Sequence, residues 1–256
     1  MSDKNEMDYL GEFAGQGYEG LGAEDFIVPF LKILQKGSPV CDEANPNKIP
    51  GAKAGTFFNT LTKESYGKEI TLIPLREVRL WLEWAPNMGG LKGKHTPGSI
   101  PTVGSAFGEE GLRTLSGNSI SETMNFICLI AGHIEDGPIV FSVSSTGLRH
   151  GSFWNTMIKN TRLPNGKAAP YFACKWTLKI VPNAKNNFTW FHVGTKEKTE
   201  ITNKNEKGEI QYITKEDFTG VLPSWEQSKM LVQRASFDAL EERDVKAIED
   251  KTSTEY

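Results

Sequence analysis

The chemistry-bearing side chains of this chain concentrate in one stretch, where Lys175, Lys179, Phe188, Trp190 and His192 recur at even spacing within two runs of strand-forming residues. If Pro182 to Asn187 forms the loop and Val181 pairs with Phe188, antiparallel register sets Lys179 opposite Trp190 and Thr177 opposite His192. The alternate residues then pair Leu178 with Phe191 and Trp176 with Val193, giving one apolar face and one face of rings and ammonium groups. That combination suits single-stranded nucleic acid: a stacked base contributes roughly 1–3 kcal/mol, and lysines neutralise phosphates. The Trp190 ring would serve equally well packed under a neighbouring loop or the C-terminal helix, and residue types alone leave both readings open.

Covalent and metal chemistry find less support. His95, His133, His150 and His192 are scattered outside any zinc-ligand spacing, and neither a Gly-x-Ser-x-Gly elbow nor a P-loop occurs. Glu77 and Glu83 share a strand face with Arg79, which reads as a salt-bridged surface. The expectation is a protein that is not an enzyme, with no catalytic residue, metal or cofactor. Cys41, Cys128 and Cys174 form no C-x-x-C pair and read as buried thiols in a reducing compartment.

The elements that must position these groups follow the order strand-strand-strand-helix-strand-strand between Glu69 and Gly194. Glu69 to Trp84 alternates, with Val78, Leu80, Leu82 and Trp84 on one face and Glu77, Arg79, Trp81 and Glu83 on the other; Pro74 predicts a bulge or bend. Asn125 to Ile134 reads as a buried central strand, turning at Glu135-Asp136-Gly137 into Ile139 to Ser144. Helical spacing of Leu148, Phe153, Met157 and Ile158 follows, ending near Leu163-Pro164-Asn165-Gly166, and two strands, Tyr171 to Val181 and Phe188 to Gly194, close the run. The expected fold is mainly β: an OB-fold-like five-stranded barrel with a capping helix, an added N-terminal helix and hairpin, and a C-terminal helix or tail.

Residues 1–22 are acidic and Gly-rich and read as a flexible arm. Residues 23–195 form the expected binding domain, opening with a helix over Ala23 to Lys36 and a hairpin around Thr62 to Gly67. Its loop 85–122 carries eight glycines with Lys92, Lys94, His95 and Arg113. A loop of that length is usually functional or disordered, and in OB-folds it commonly closes over the ligand together with the loop that here holds Lys185. Arg149 opens a polar side of the helix that reads either as solvated or as part of the binding surface. Residues 196–222 read as a polar hairpin or linker and 223–256 as a helix with an acidic tail, introduced by the Ser224-x-x-Gln227 capping pattern.

The formal net charge of −3 conceals a segregation, from −5 over residues 1–50 to +5 over 51–180 and −3 over 181–256. A basic middle between acidic ends suits a polyanion-binding body. No apolar run approaches the ~20 residues needed to span a bilayer, and no basic, then apolar, leader opens the chain, so the expectation is a soluble protein with no membrane partner.

The strings Asp25-Phe26-Ile27-Val28-Pro29-Phe30-Leu31-Lys32-Ile33-Leu34-Gln35, Ser38-Pro39 and Pro50-Gly51-Ala52-Lys53-Ala54-Gly55-Thr56-Phe57-Phe58-Asn59-Thr60 resemble the opening of the OB-fold single-stranded DNA-binding proteins of tailed bacteriophages. Ser144-Ser145-Thr146-Gly147-Leu148, Trp176-Thr177-Leu178 and Asn187-Phe188-Thr189-Trp190 are similar too. The likeness covers roughly residues 24–195. It implies a protein that coats single-stranded DNA during phage replication or recombination, in the cytoplasm of the infected host. It also implies an acidic C-terminus read by replication or recombination proteins, here Glu249, Asp250, Glu255 and Tyr256, although Lys246 and Lys251 interrupt that tail. The residues expected to contact DNA are Trp190, Phe188, Trp81, Lys92, Lys94, His95, Lys175, Lys179, Lys185 and Arg149, with self-association left open. The alternative is a non-catalytic phage structural or regulatory protein that uses the same barrel for protein contacts.

Overall fold

The computed structural model describes residues 29–86, 90–95, 106–108, 111–114, 117–221 and 224. In chain order its first strands are β1 (Phe30–Ile33), β2 (Phe57–Asn59), β3 (Ser65–Gly67), β4 (Glu69–Trp84), β5 (Leu91–His95), β6 (Ala106–Gly108), β7 (Gly111–Arg113), β8 (Ser119–Ile130) and β9 (Ile139–Ser144). Helix α1 (Leu148–Asn160) follows, then β10 (Trp176–Lys179), β11 (Val181–Lys185), β12 (Phe188–His192) and β13 (Ile201–Thr202). An eleven-stranded sheet runs β13-β10-β4-β8-β9-β1-β2-β3, with β5 added to β4, and β7 and then β6 added to β8, while β11 and β12 form a separate two-stranded sheet. The large sheet curls into a half-barrel around α1.

The core sits on both sides of the central strands. On the α1 side, Leu31, Leu72, Phe126, Cys128, Phe141 and Val143 surround Trp154 and Ile158, and Trp154 stacks on Phe126 at 4.6 Å between ring centroids. Truncating a fully buried tryptophan such as Trp154 to alanine costs roughly 3–5 kcal/mol. On the other side, Ile73, Leu75, Ile127, Leu129 and Val140 pack with Phe30, Phe172 and Val221. Burial on both sides explains why the Phe126 to Ile130 run is apolar without alternation.

The bulge expected at Pro74 is present, and it decides what the rest of β4 does. Pro74 pairs with Cys128 and Arg76 with Ile127, so Leu75 has no cross-strand partner. Ahead of it, Ile70 and Leu72 face α1; beyond it, the odd-numbered Glu77, Arg79, Trp81 and Glu83 take that side. One extra residue therefore turns Val78, Leu80, Leu82 and Trp84 to the outer face of the half-barrel.

Several expectations are corrected. The helix expected over Ala23 to Lys36 is, from residue 29 on, strand β1 and a turn; residues 23–28 lie outside the described residues. Inserted between β9, which it meets in parallel, and β2, β1 has neighbours on both faces as well as both edges, so its apolar residues mimic helical spacing. Loop 85–122 contains β5, β6, β7 and the start of β8, which begins six residues before the expected Asn125. The register proposed for the last hairpin does not form: β10 pairs with β4, setting Lys179 opposite Glu69, and Pro182 to Lys185, expected as loop, is strand paired with β12. A two-residue turn at Asn186 and Asn187, with φ of 49° and 67°, joins them, as primed hairpin turns require.

Residues 196–222, expected to be a polar hairpin or linker, supply β13 on the edge of β10 and a short helix, α2 (215–221). Thr214 and Asp217 cap that helix reciprocally. The Asp217 N–H donates to Thr214 Oγ1 at 3.2 Å and the Thr214 N–H to Asp217 Oδ2 at 2.7 Å. Beyond α2 only Ser224 is described, so the helix expected from there and the tail residues Glu249, Asp250, Glu255 and Tyr256 lie outside the described residues, as does the arm 1–22.

Candidate functional site

Above the bulge, the outer face of β4, β8, β9 and β1 is not covered by α2, and it forms a groove of ≈ 590 Å³. Directly opposed residues share a face in antiparallel pairing, so Leu80 lies beside Thr123, Leu82 beside Ser121, and Asn125 beside Ser142. Phe30 and Lys32 close the groove on the β1 side, Lys94 and Trp84 at the β4 and β5 end, and Phe191 and His192 on the hairpin side.

The floor is held by its own polar contacts. Trp84 Nε1 donates to Ser121 Oγ at 3.2 Å, and the Ser142 hydroxyl donates to Asn125 Oδ1 at 2.6 Å. Lys32 Nζ stands 5.9 Å from the centre of the Phe30 ring. Among the described residues the lining holds two lysines and no carboxylate, a balance that favours an anion. Such a trough can take planar apolar groups against its rings, hydrogen-bond their edges through Ser, Thr and Asn side chains, and neutralise an attached phosphate.

The β11–β12 hairpin extends this surface. Val181, Asn183 and Lys185 oppose His192, Trp190 and Phe188, so all six side chains share one face. Phe188 and Trp190 stack at 6.0 Å with ring planes 22° apart, and Phe188 is 68% exposed. Exposure of so large an apolar ring at a hairpin tip costs stability unless something covers it.

At the junction of hairpin and groove, His192 and His150 face each other at 6.0 Å. Burial, with His192 and Arg149 nearby, lowers the His150 pKa to about 4, while its Nδ1 meets Thr199 Oγ1 at 2.7 Å. Burial also lowers the pKa of His192, whose Nδ1 is buried with no hydrogen-bond partner among the described residues. Gly147 makes room for this ring, since a Cβ there would lie 2.7 Å from His192 Cε1.

The expected contact residues divide between this surface and others. Lys94 lines the groove, and Trp190, Phe188 and Lys185 share the hairpin face with His192. Lys92 is exposed on β5 beside a register shift. Trp81 and His95 pair on the opposite face of the sheet, where His95 Nε2 meets Glu83 Oε2 at 2.9 Å. Lys175, just ahead of β10, is bound to Asp217 at 2.7 Å, and Lys179, the last residue of β10, to Glu69 at 3.2 Å; neither lines the groove. Arg149 lies on α1 outside the lining. Trp84, Phe30, Lys32, Gln35 and the row Ser121, Thr123, Asn125 and Ser142 were missed. The alternation of Leu80, Leu82 and Trp84 was legible, but nothing in it reveals which apolar face stays open.

No group of three or more His, Cys, Asp or Glu side chains placed to hold a metal occurs among the described residues. No described helix is long and apolar enough to cross a membrane. No curated protein and no solved structure matches the chain. The model of the Pam3 phage gp34-like protein family matches residues 3–220, a span that includes the groove, the hairpin and, apart from Val221, both core clusters, so the chain belongs to this bacteriophage protein family.

Proposed function

We propose that this protein is a non-catalytic single-stranded DNA-binding protein, coating DNA largely independently of sequence during phage replication or recombination. The observation that carries the reading is the groove: rings from Phe30, Trp84 and Phe191 beside Lys32 and Lys94, with no carboxylate among the described lining residues, continuous with a hairpin on which the exposed Phe188, opposite Lys185, stacks on Trp190. Rings supply sequence-tolerant stacking and lysines supply phosphate neutralisation, the two terms on which such binding rests. A duplex keeps its base faces buried in its own stack and has little to offer the rings.

The run β4, β8, β9, α1 and β10 supports an OB-fold-like reading, in which the outer face of the first strands takes the ligand between two loops. There is one departure. β12 does not join the large sheet as its fifth barrel strand, and β1 from the start of the chain lies parallel to β9 instead.

Fluorescence anisotropy of a labelled oligo-dT of about 30 nucleotides, against duplex of equal length at two salt concentrations, tests the proposal. Tight binding to the single strand alone is expected, with roughly −0.7 in the log–log salt slope for each phosphate neutralised. Absence of binding at low salt overturns it and favours a barrel used for protein contacts.

A further inference from the structure

The hairpin that carries Trp190 belongs to a sheet of its own, yet its Phe191 and His192 form a wall of the groove. Besides its chain connection to β10 and the packing of Val193, one of its links to the large sheet is a side chain. The Gln35 carboxamide accepts the Phe191 N–H at 2.9 Å and donates to the Phe191 C=O at 3.1 Å, the two bonds a neighbouring strand would otherwise make. Gln35 is itself held by its surroundings. Its N–H donates to Ser38 Oγ at 2.8 Å, the Ser38 N–H returns to the Gln35 C=O at 3.0 Å, and its amide nitrogen also reaches the Ile33 C=O at 3.2 Å. Gly55, at a φ of 78°, leaves the space in which the Phe191 ring lies, for a Cβ there would stand 2.9 Å from that ring.

We infer that Gln35 is a positioning residue that holds the β11–β12 hairpin against the end of the groove, so that the groove rings and the Phe188–Trp190 stack present one continuous path to a single DNA strand. The inference rests on the single-stranded DNA reading of the groove. Gln35 contacts no ligand in this role; it acts through the backbone of Phe191. Only glutamine has both a donor and an acceptor at this reach. Asparagine is one methylene too short, and glutamate keeps the acceptor but loses the donor.

The test combines hydrogen exchange with a double-mutant cycle. In Gln35→Ala, amides of β11 and β12 should exchange faster while those of β8 and β9 keep their protection. Affinity for oligo-dT should fall about tenfold with the salt slope flattened by no more than roughly 0.7, because the released hairpin carries one lysine, Lys185. In a Trp190→Ala background the same change should cost less than about twofold, since the hairpin no longer contributes. Gln35→Met, which keeps the length and loses both bonds without adding a charge to the groove lining, should give a loss like that of alanine, and it substitutes for alanine if the latter unfolds. Multiplicative effects of Gln35→Ala and Trp190→Ala, or unchanged hairpin exchange, overturn the inference. If the wild-type chain does not bind oligo-dT while Gln35→Ala still releases the hairpin amides, the DNA reading fails and the positioning role stands for another ligand.

Discussion

The two faces of β4 and β8 above the bulge are built from alternating residues of the same strands and have opposite chemistry. The outer face carries Leu80, Leu82, Trp84, Ser121, Thr123 and Asn125, with Lys32 and Lys94 at its rims and no carboxylate among the described lining residues. The α1 side carries Glu77, Glu83 and Glu122 with Arg79 and His95, and these satisfy one another. Arg79 binds Glu122 at 2.9 Å, while His95 and Asn118 bind the two oxygens of Glu83 at 2.9 and 2.6 Å. Glu77 is the exception, its pKa raised by burial despite the Arg79 guanidinium beside it. One face pairs most of its carboxylates with cations and amides of its own strands, whereas the other lines a groove with rings, hydroxyls and amides. Carboxylates already paired have little left for a ligand, and the lack of them among its described lining residues is what sets the groove apart.

The sharpest break between the faces is charge reversal. Lys32→Glu with Lys94→Glu should lower oligo-dT affinity by about a hundredfold or more at low salt and flatten the salt slope by roughly 1.4, read by anisotropy. Trp84→Ala and Trp190→Ala should each cost about tenfold or more through lost stacking, without an equal fall in thermal midpoint. Trp81→Ala, on the other face, should leave affinity within about twofold. A loss as large as that of Trp84→Ala would assign the site to the wrong side of the sheet.

The smallest effect is on pH dependence. The folded His150 pKa lies below its ordinary value, so the unfolded chain binds the proton first. The stability this group contributes is complete above pH 6.5 and is lost as pH falls toward about 4. The carboxyl of Glu83 is held below its ordinary 4.5 by the hydrogen bonds from Asn118 and His95, so its contribution is present above pH 4.5 and lost only below it. Thermal midpoints against pH should show the upper window flattened in His150→Asn and the lower one in Glu83→Gln. Interchange of the two windows would break the assignment.

Strand β4 was legible in its alternation and even in its bulge, because proline inside a β-rich run forces one. The turn Glu135 to Gly137, with Gly137 at a φ of 79°, was legible for the same local reason. Strand β1 was not, since Phe30, Leu31 and Ile33 put apolar side chains on both its faces and lose the period of two. The last hairpin was misread at Pro182. Proline argues against a strand unless the residue sits where its missing N–H is not needed, and β11, with a partner on one edge alone, allows it. Gln35 carried no signal at all, because a glutamine that completes a ladder looks like any other polar residue.

What the amino-acid sequence determined by itself is local: strand-forming runs, the bulge, the positions of rings and lysines, and the scattering of histidines outside any metal-ligand spacing. Tertiary structure decided which apolar face α2 covers and which remains a groove, which lysines are spent on Glu69 and Asp217, and where the aromatic hairpin docks. The reason is physical. Backbone conformation answers to neighbours a few residues away, whereas exposure and pairing of a side chain depend on partners such as Phe191, 156 residues beyond Gln35 in the chain.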